Sequence, residues 1–215
     1  PFGEHINTQG SVEELGYYQL EGAVGCETGL PYGSLSPHFA ASYFEQTKVP
    51  TLMVPCCCGA STVKQWWPGT TQQRFELAVE KTEKSIDAVE EIGRTIRHKN
   101  LVWLQGESDG YGSGVGNKTK NYKNNFLTFW RAIKEALGLE KCLIIRVAKF
   151  REGLKYNTLP IMEAQEQLAL ENDDIELVTR ITGYLEYPAQ NPENPTLQHH
   201  EQGYPASNHD HYTWE

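Results

Sequence analysis

An alternation of amphipathic and apolar segments runs through the middle of the chain and restricts its fold more than any other feature. Residues 75–96 place Leu77, Val79, Ile86, Val89 and Ile92 at helical spacing among charges. The run Leu101-Val102-Trp103-Leu104 follows, short and apolar enough for a buried strand. Residues 122–137 are amphipathic again, with Phe126, Phe129, Trp130, Ile133 and Leu137 on one side and Gly138 as the stop. Residues 142–148 read as strand, 160–172 as helix with Pro160 near its start, and 175–181 as strand. Upstream, residues 37–46 read as helix, with Ser36 as the cap and Pro37 in the first turn, and residues 49–58 as a buried strand. Strands that alternate with helices predict a parallel sheet, in an α/β fold built as a three-layer sandwich. Residues 1–34, rich in Gly, Glu and Tyr, read as loop, and a polar tract dense in Pro, Asn, Gln and His runs to Glu215. Neither an internal repeat nor a second domain is visible, so residues 1–215 read as one domain.

Composition excludes several classes. A length of 215 residues supports a real core, and 39% hydrophobic with 22% charged residues is a globular balance. The formal net charge of −9 argues against nucleic acid or an anionic membrane as the main partner. No apolar run approaches the roughly 20 residues needed to cross a bilayer. Of the five cysteines, Cys56, Cys57 and Cys58 are consecutive. Neighbours on a strand face opposite ways and no C-x-x-C pair is present, so they read as small core residues rather than disulfide partners or zinc ligands. That usage leans toward a reducing, cytoplasmic compartment. Asn117-Lys118-Thr119 fits a glycosylation sequon and leans the other way, so location stays open. The chain opens at Pro1 without a methionine, so the missing signal peptide carries no weight.

Three polar stretches carry the chemistry. They are Gly59-Ala60-Ser61 after the 49–58 segment, Gln105-Gly106-Glu107-Ser108-Asp109-Gly110 after the 101–104 strand, and Asn208-His209-Asp210-His211-Tyr212-Thr213 near the end. A parallel sheet brings ligands to the C-terminal ends of its strands. There, a backbone amide near Gly59 and the amide of Gln105 can donate to a developing oxyanion. His211, oriented by a nearby carboxylate, can serve as general base and acid. Each stretch also has an architectural reading. Gly59 makes a tight turn. Glu107 and Asp109 cap the following loop or face water. A histidine-rich tail is solvated, and Trp66 and Trp67 close a core rather than line a sugar site. The histidines lack the Cys or Glu spacing of a metal centre, so neither metal nor cofactor is expected. Ser61 lacks the G-x-S-x-G elbow of a strained nucleophile, and Ser108 sits between two acids that oppose its ionisation.

Together these stretches resemble a known family. Val102-Trp103-Leu104-Gln105-Gly106-Glu107-Ser108-Asp109 is similar to the W-x-Q-G-E-S-D block of sialate O-acetylesterase-like proteins, in the SGNH hydrolase superfamily and close to carbohydrate esterase family six. The stretch from Pro55 through Gly59-Ala60 to Trp66 resembles the family's glycine block, Met162-Glu163-Ala164-Gln165 its R-x-A-Q helix, and Asn208 to Thr213 its terminal D-x-x-H-x-T block. The match runs in order from about residue 30 to 215. It implies a flavodoxin-like SGNH fold and a metal-free serine esterase. Such an enzyme removes O-acetyl groups from sialic acid, xylan or a related glycan through an acyl-enzyme. Carried over, His211 is the base, with Gly59 or the amide of Ala60, and Gln105, as oxyanion donors. Glu107 organises its loop or shares the acid function.

The chain departs from the family pattern in three places. The family's nucleophile lies in a G-Q-S-N block after the first strand, and no such block occurs in residues 1–215. Asn208 stands where the triad acid is expected and Asp210 lies beside His211 instead, so either the register slips locally or Glu107 substitutes. The chain also stops before the family's last helix. Omitting an internal strand leaves buried edges unpaired at roughly 1–3 kcal/mol per backbone group. The expectation is therefore that a longer chain or a second polypeptide completes the sheet. The competing function is a catalytically inactive glycan-binding module of the same fold. A lipase or thioesterase is disfavoured by surroundings of tryptophans and amides.

Overall fold

A computed structural model describes residues 2–3, 16–17, 35–56, 58, 61–110, 121–147, 158–180 and 182. The chain divides into two compact units. One comprises Pro1–Ser61, Gln65–Lys99 and Ala132–Gly138, the other Thr62–Lys64, Asn100–Arg131 and Leu139–Glu215.

The second unit holds the sheet. Strands β3 (Asn100–Trp103), β4 (Lys141–Ile145) and β5 (Ile175–Thr179) lie side by side in that order, all parallel. Trp103 pairs with Ile144 on one side, and Ile144 with Leu177 on the other, before a register shift at Ile145. The central strand carries the apolar core: Cys142 and Ile144 are fully buried, whereas β3 is buried only at Trp103 and β5 alternates after a buried Ile175. Burial pushes the Cys142 thiol well above its ordinary range, so it behaves as a core residue.

Helix α3 (Tyr122–Leu137) connects β3 to β4, and α4 (Leu159–Glu171) lies between β4 and β5 in the chain. The stripe expected on α3 is buried as read: Phe126, Phe129, Trp130, Ile133 and Leu137, with Tyr122 added at its start. Trp103 of β3 lies against Phe129 and Phe126, with ring centroids 4.6 and 5.7 Å away. The Trp130 indole donates to Asp174 at the head of β5 (3.1 Å). A parallel sheet layered with helices is therefore established, as the alternation required.

In the first unit, β1 (Phe2–Gly3) and β2 (Gly16–Tyr17) form a two-residue antiparallel pair where the sequence reads as loop. Helix α1 spans Leu35–Thr47, which puts Ser36 inside the helix rather than at its cap. The strand expected over 49–58 does not form: residues 49–56 and 58 join no ladder. Pro50 and Pro55 contribute no N–H, and the Pro55 carbonyl instead accepts a bond from the Lys81 ammonium (2.8 Å). That lysine is fully buried and alters the face of α2 (Arg74–Glu91) as well. The helix buries Ala78, Lys81, Ser85 and Val89, while Ile92, expected on the apolar face, is exposed. It stops at Glu91 rather than Ile96 because Gly93 turns left-handed (φ +76°). The N–H groups of Gly93 and Arg94 close back on the Glu90 and Val89 carbonyls, a Schellman end.

Candidate functional site

The polar turn after β3 is where the sequence concentrates chemistry, and the second unit builds it tightly. Gly106, Gln105, Asp109 and Gly110 are buried; Glu107 and Ser108 are half-buried. The Gly110 N–H closes the turn onto the carbonyls of Gly106 (3.2 Å) and Glu107 (3.0 Å). Gly106 has φ +147°, and a Cβ there would lie 2.6 Å from Ile161 Cγ2 and 3.3 Å from Val147 Cγ1. Only glycine satisfies both the dihedral and the space.

Gln105 is held at both ends. Its main-chain carbonyl accepts bonds from the Tyr122 hydroxyl (3.0 Å) and from Gln165 Nε2 (2.9 Å). Its side-chain Nε2 donates to Asp109 Oδ2 at 2.6 Å. The same oxygen accepts the Val63 backbone N–H at 3.0 Å. Val63 opens a single 3-10 turn, Val63–Trp66, three residues beyond Ala60. Asp109 thus joins the stretch after the glycine block to the turn after β3.

Gln165 completes the frame from α4. It is fully buried among Ile161, Ala164 and Leu168, so its carboxamide must find partners there. Its Oε1 accepts the Val147 N–H (3.0 Å), and its Nε2 reaches both the Gln105 carbonyl and the Tyr122 hydroxyl (3.3 Å). One side chain therefore clamps the segments leaving two neighbouring parallel strands, at the sheet end where ligands collect. Burial pushes the Tyr122 phenol far above its ordinary range, with the charges of Asp109 and Glu107 adding to the rise. It stays protonated, donating to Gln105 while accepting the Trp103 indole N–H at 3.4 Å.

Of the residues that the resemblance assigns to catalysis or the oxyanion, the described part of the structure contains Gln105 and Glu107. Gly59, Ala60, Asp210 and His211 lie outside the described residues. Asp109, with 4% exposure, does not face water. The Ser61 hydroxyl donates to the Cys58 carbonyl (2.7 Å) and accepts the Trp66 indole N–H (3.0 Å), which gives it an architectural part. Trp66 is buried with it. Sequence reasoning passed over Tyr122 and the structural role of Gln165. The signal for Gln165 was an uncharged amide on the apolar face of a helix. Among the described residues, no group of three or more His, Cys, Asp or Glu is placed to hold a metal ion. No described helix is long and apolar enough to cross a membrane.

Comparison with known proteins decides the family. The model of the family "Carbohydrate esterase, sialic acid-specific acetylesterase" matches residues 31–185. The chain belongs to this family. The carbohydrate esterase match takes in the Gly59, Gln105 and Gln165 stretches and stops short of the terminal histidines. An X-ray structure of an Arabidopsis thaliana protein superposes on this chain with a TM-score of 0.54. The two are 20% identical over 82% of this chain and 67% of that one, a likeness of fold. No curated protein matches the chain.

Proposed function

We propose that this carbohydrate esterase is a serine hydrolase that removes O-acetyl groups from a glycan, with O-acetylated sialic acid as the first substrate to try and acetylated xylan as the next. The observation that carries the reading is Gln105. Its carboxamide and carbonyl are both anchored in a buried frame at the C-terminal end of β3, inside the span of the family match. A pre-set donor at such a place suits an oxyanion, because it reorganises little as charge develops.

In this reading a serine oxygen attacks the acetyl carbonyl and His211 takes its proton. The tetrahedral oxyanion is received by the amide of Gly59 or Ala60 and by Gln105. The sugar hydroxyl leaves with the proton from His211, and water then cleaves the acetyl-enzyme by the same route in reverse. Asp210 orients His211, with Glu107 and Asn208 as the other candidates for that place. The serine belongs to a G-Q-S-N block on a further strand beside β3, which completes the three-layer sandwich.

The test is hydrolysis of 4-nitrophenyl acetate and of O-acetylated sialic acid by the full-length protein and by its His211→Ala variant. The variant should lose roughly a thousandfold in kcat. Equal rates would remove His211 from the mechanism. Wild-type protein that binds acetylated glycans and cleaves none would be a binding module.

A further inference from the structure

We propose that Asp109 is a positioning residue for acetyl transfer, acting through Gln105. The inference rests on the esterase reading and adds one residue to it. A carboxylate as buried as Asp109 requires strong donors around it. Two of them converge on one oxygen, Oδ2: the Gln105 carboxamide at 2.6 Å and the Val63 N–H at 3.0 Å. The first is short even for a charge-assisted bond.

A primary carboxamide carries two N–H groups in one plane. Anchoring one of them fixes the plane and hence the direction of the other. Val63 supplies the reference point, because its N–H belongs to main chain wound into the 63–66 turn. The opposite end of the residue is pinned by Tyr122 and Gln165 on its carbonyl. Tyr122 also reaches the carboxamide itself, at Oε1 (3.4 Å), so that contact and the shorter Asp109 bond on Nε2 together set the plane of the Gln105 amide. Displacing a catalytic donor by about 1 Å is enough to cost on the order of a hundredfold in rate. Glu107 lies two residues earlier in the same turn and is half-buried, so the fully enclosed carboxylate of the turn is Asp109.

A double-mutant cycle on the full-length protein tests this, with kcat and KM measured for both acetyl esters. Asp109→Asn keeps an oxygen for Val63 but can present N–H instead of carboxylate to Gln105. It should lower kcat roughly ten- to a hundredfold with KM within about threefold of wild type. Gln105→Ala should lower kcat at least as far. In the Gln105→Ala background, Asp109→Asn should add no further loss, since the group it orients is gone. Losses that multiply, or an Asp109→Asn protein with wild-type kcat, would overturn the proposal. Should Asp109→Asn unfold below the assay temperature, Asp109→Glu keeps the charge, displaces it by one methylene, and is read in the same cycle. Wild-type protein inactive on both esters would defeat the esterase reading itself. An active wild type with an indifferent Asp109 would defeat only the positioning role.

Discussion

Gln165 and Glu166 are neighbours on one helix and do opposite work. Gln165 is fully enclosed, carries no charge, and spends its carboxamide on Val147, Gln105 and Tyr122. Glu166 is charged and 28% exposed, and it takes Arg146 (2.9 Å) and Arg180 (2.6 Å to Nε) as partners near the ends of β4 and β5. Arg180 itself is more than half exposed. The helix thus turns a neutral clamp inward and leaves its ion pairs part-buried at Arg146 and open to water at Arg180. Burying an amide with every group bonded costs little, whereas burying an ion pair carries a desolvation penalty its attraction can fail to offset. The enclosed frame should therefore be intolerant of change and the ionic rim forgiving.

The largest effect should come from Gly106. Gly106→Ala forces a Cβ against the fully buried Ile161 at a backbone angle that L-residues avoid. We expect a loss of about 2–5 kcal/mol in urea unfolding, from strain and overpacking together. A loss under about 0.5 kcal/mol would mean the frame has slack and would erase the contrast with the rim. Gln165→Leu comes next. It preserves bulk but leaves the buried Val147 N–H without its acceptor and the Gln105 carbonyl with one donor fewer. The expected loss is about 1–3 kcal/mol by the same measurement. A neutral result would show that the clamp is replaceable by packing alone.

How much of this could be read in the chain follows the same divide. Helix α3 and strand β4 were legible because the helical stripe of α3 is unbroken, β4 is a continuous apolar run, and most of their apolar positions are buried. The 49–58 segment was not, because its composition is that of a strand while Pro50 and Pro55 withhold the N–H groups a ladder needs. The end of α2 was hidden in one glycine, and its buried face in Lys81, a residue hydropathy assigns to solvent. At the candidate site, the crowding of Gln105 to Asp109 after an apolar run was plain. Which carboxylate is enclosed was not, since a tight turn around Gly106 decides that and two acids two residues apart look alike. Gln165 sits in the sequence inside a motif, and its apolar neighbours at helical spacing already demand partners for it.

The smallest effect, and the sharpest test of the contrast, is at Glu166. Its carboxyl is held below the ordinary 4.5, first by the hydrogen bond from Arg180; burial opposes this, and the Arg146 hydrogen bond and the two guanidinium charges add to the lowering. A carboxyl depressed in the folded state contributes stability above its unfolded pKa and loses it as pH falls through the folded one. Glu166→Gln keeps the shape and removes the charge. It should cost about 1 kcal/mol or less at neutral pH, because the Arg180 pair is screened by water and the Arg146 pair is only part-buried. The difference from wild type should shrink as pH is lowered below about 4.5, where the wild-type carboxyl takes up its proton. Added salt should narrow the gap at neutral pH as well. Unfolding midpoints of the two proteins between pH 7 and pH 3 settle the matter. A larger loss that persists unchanged into acid would place Glu166 among the enclosed groups, and the division between clamp and rim would be wrong.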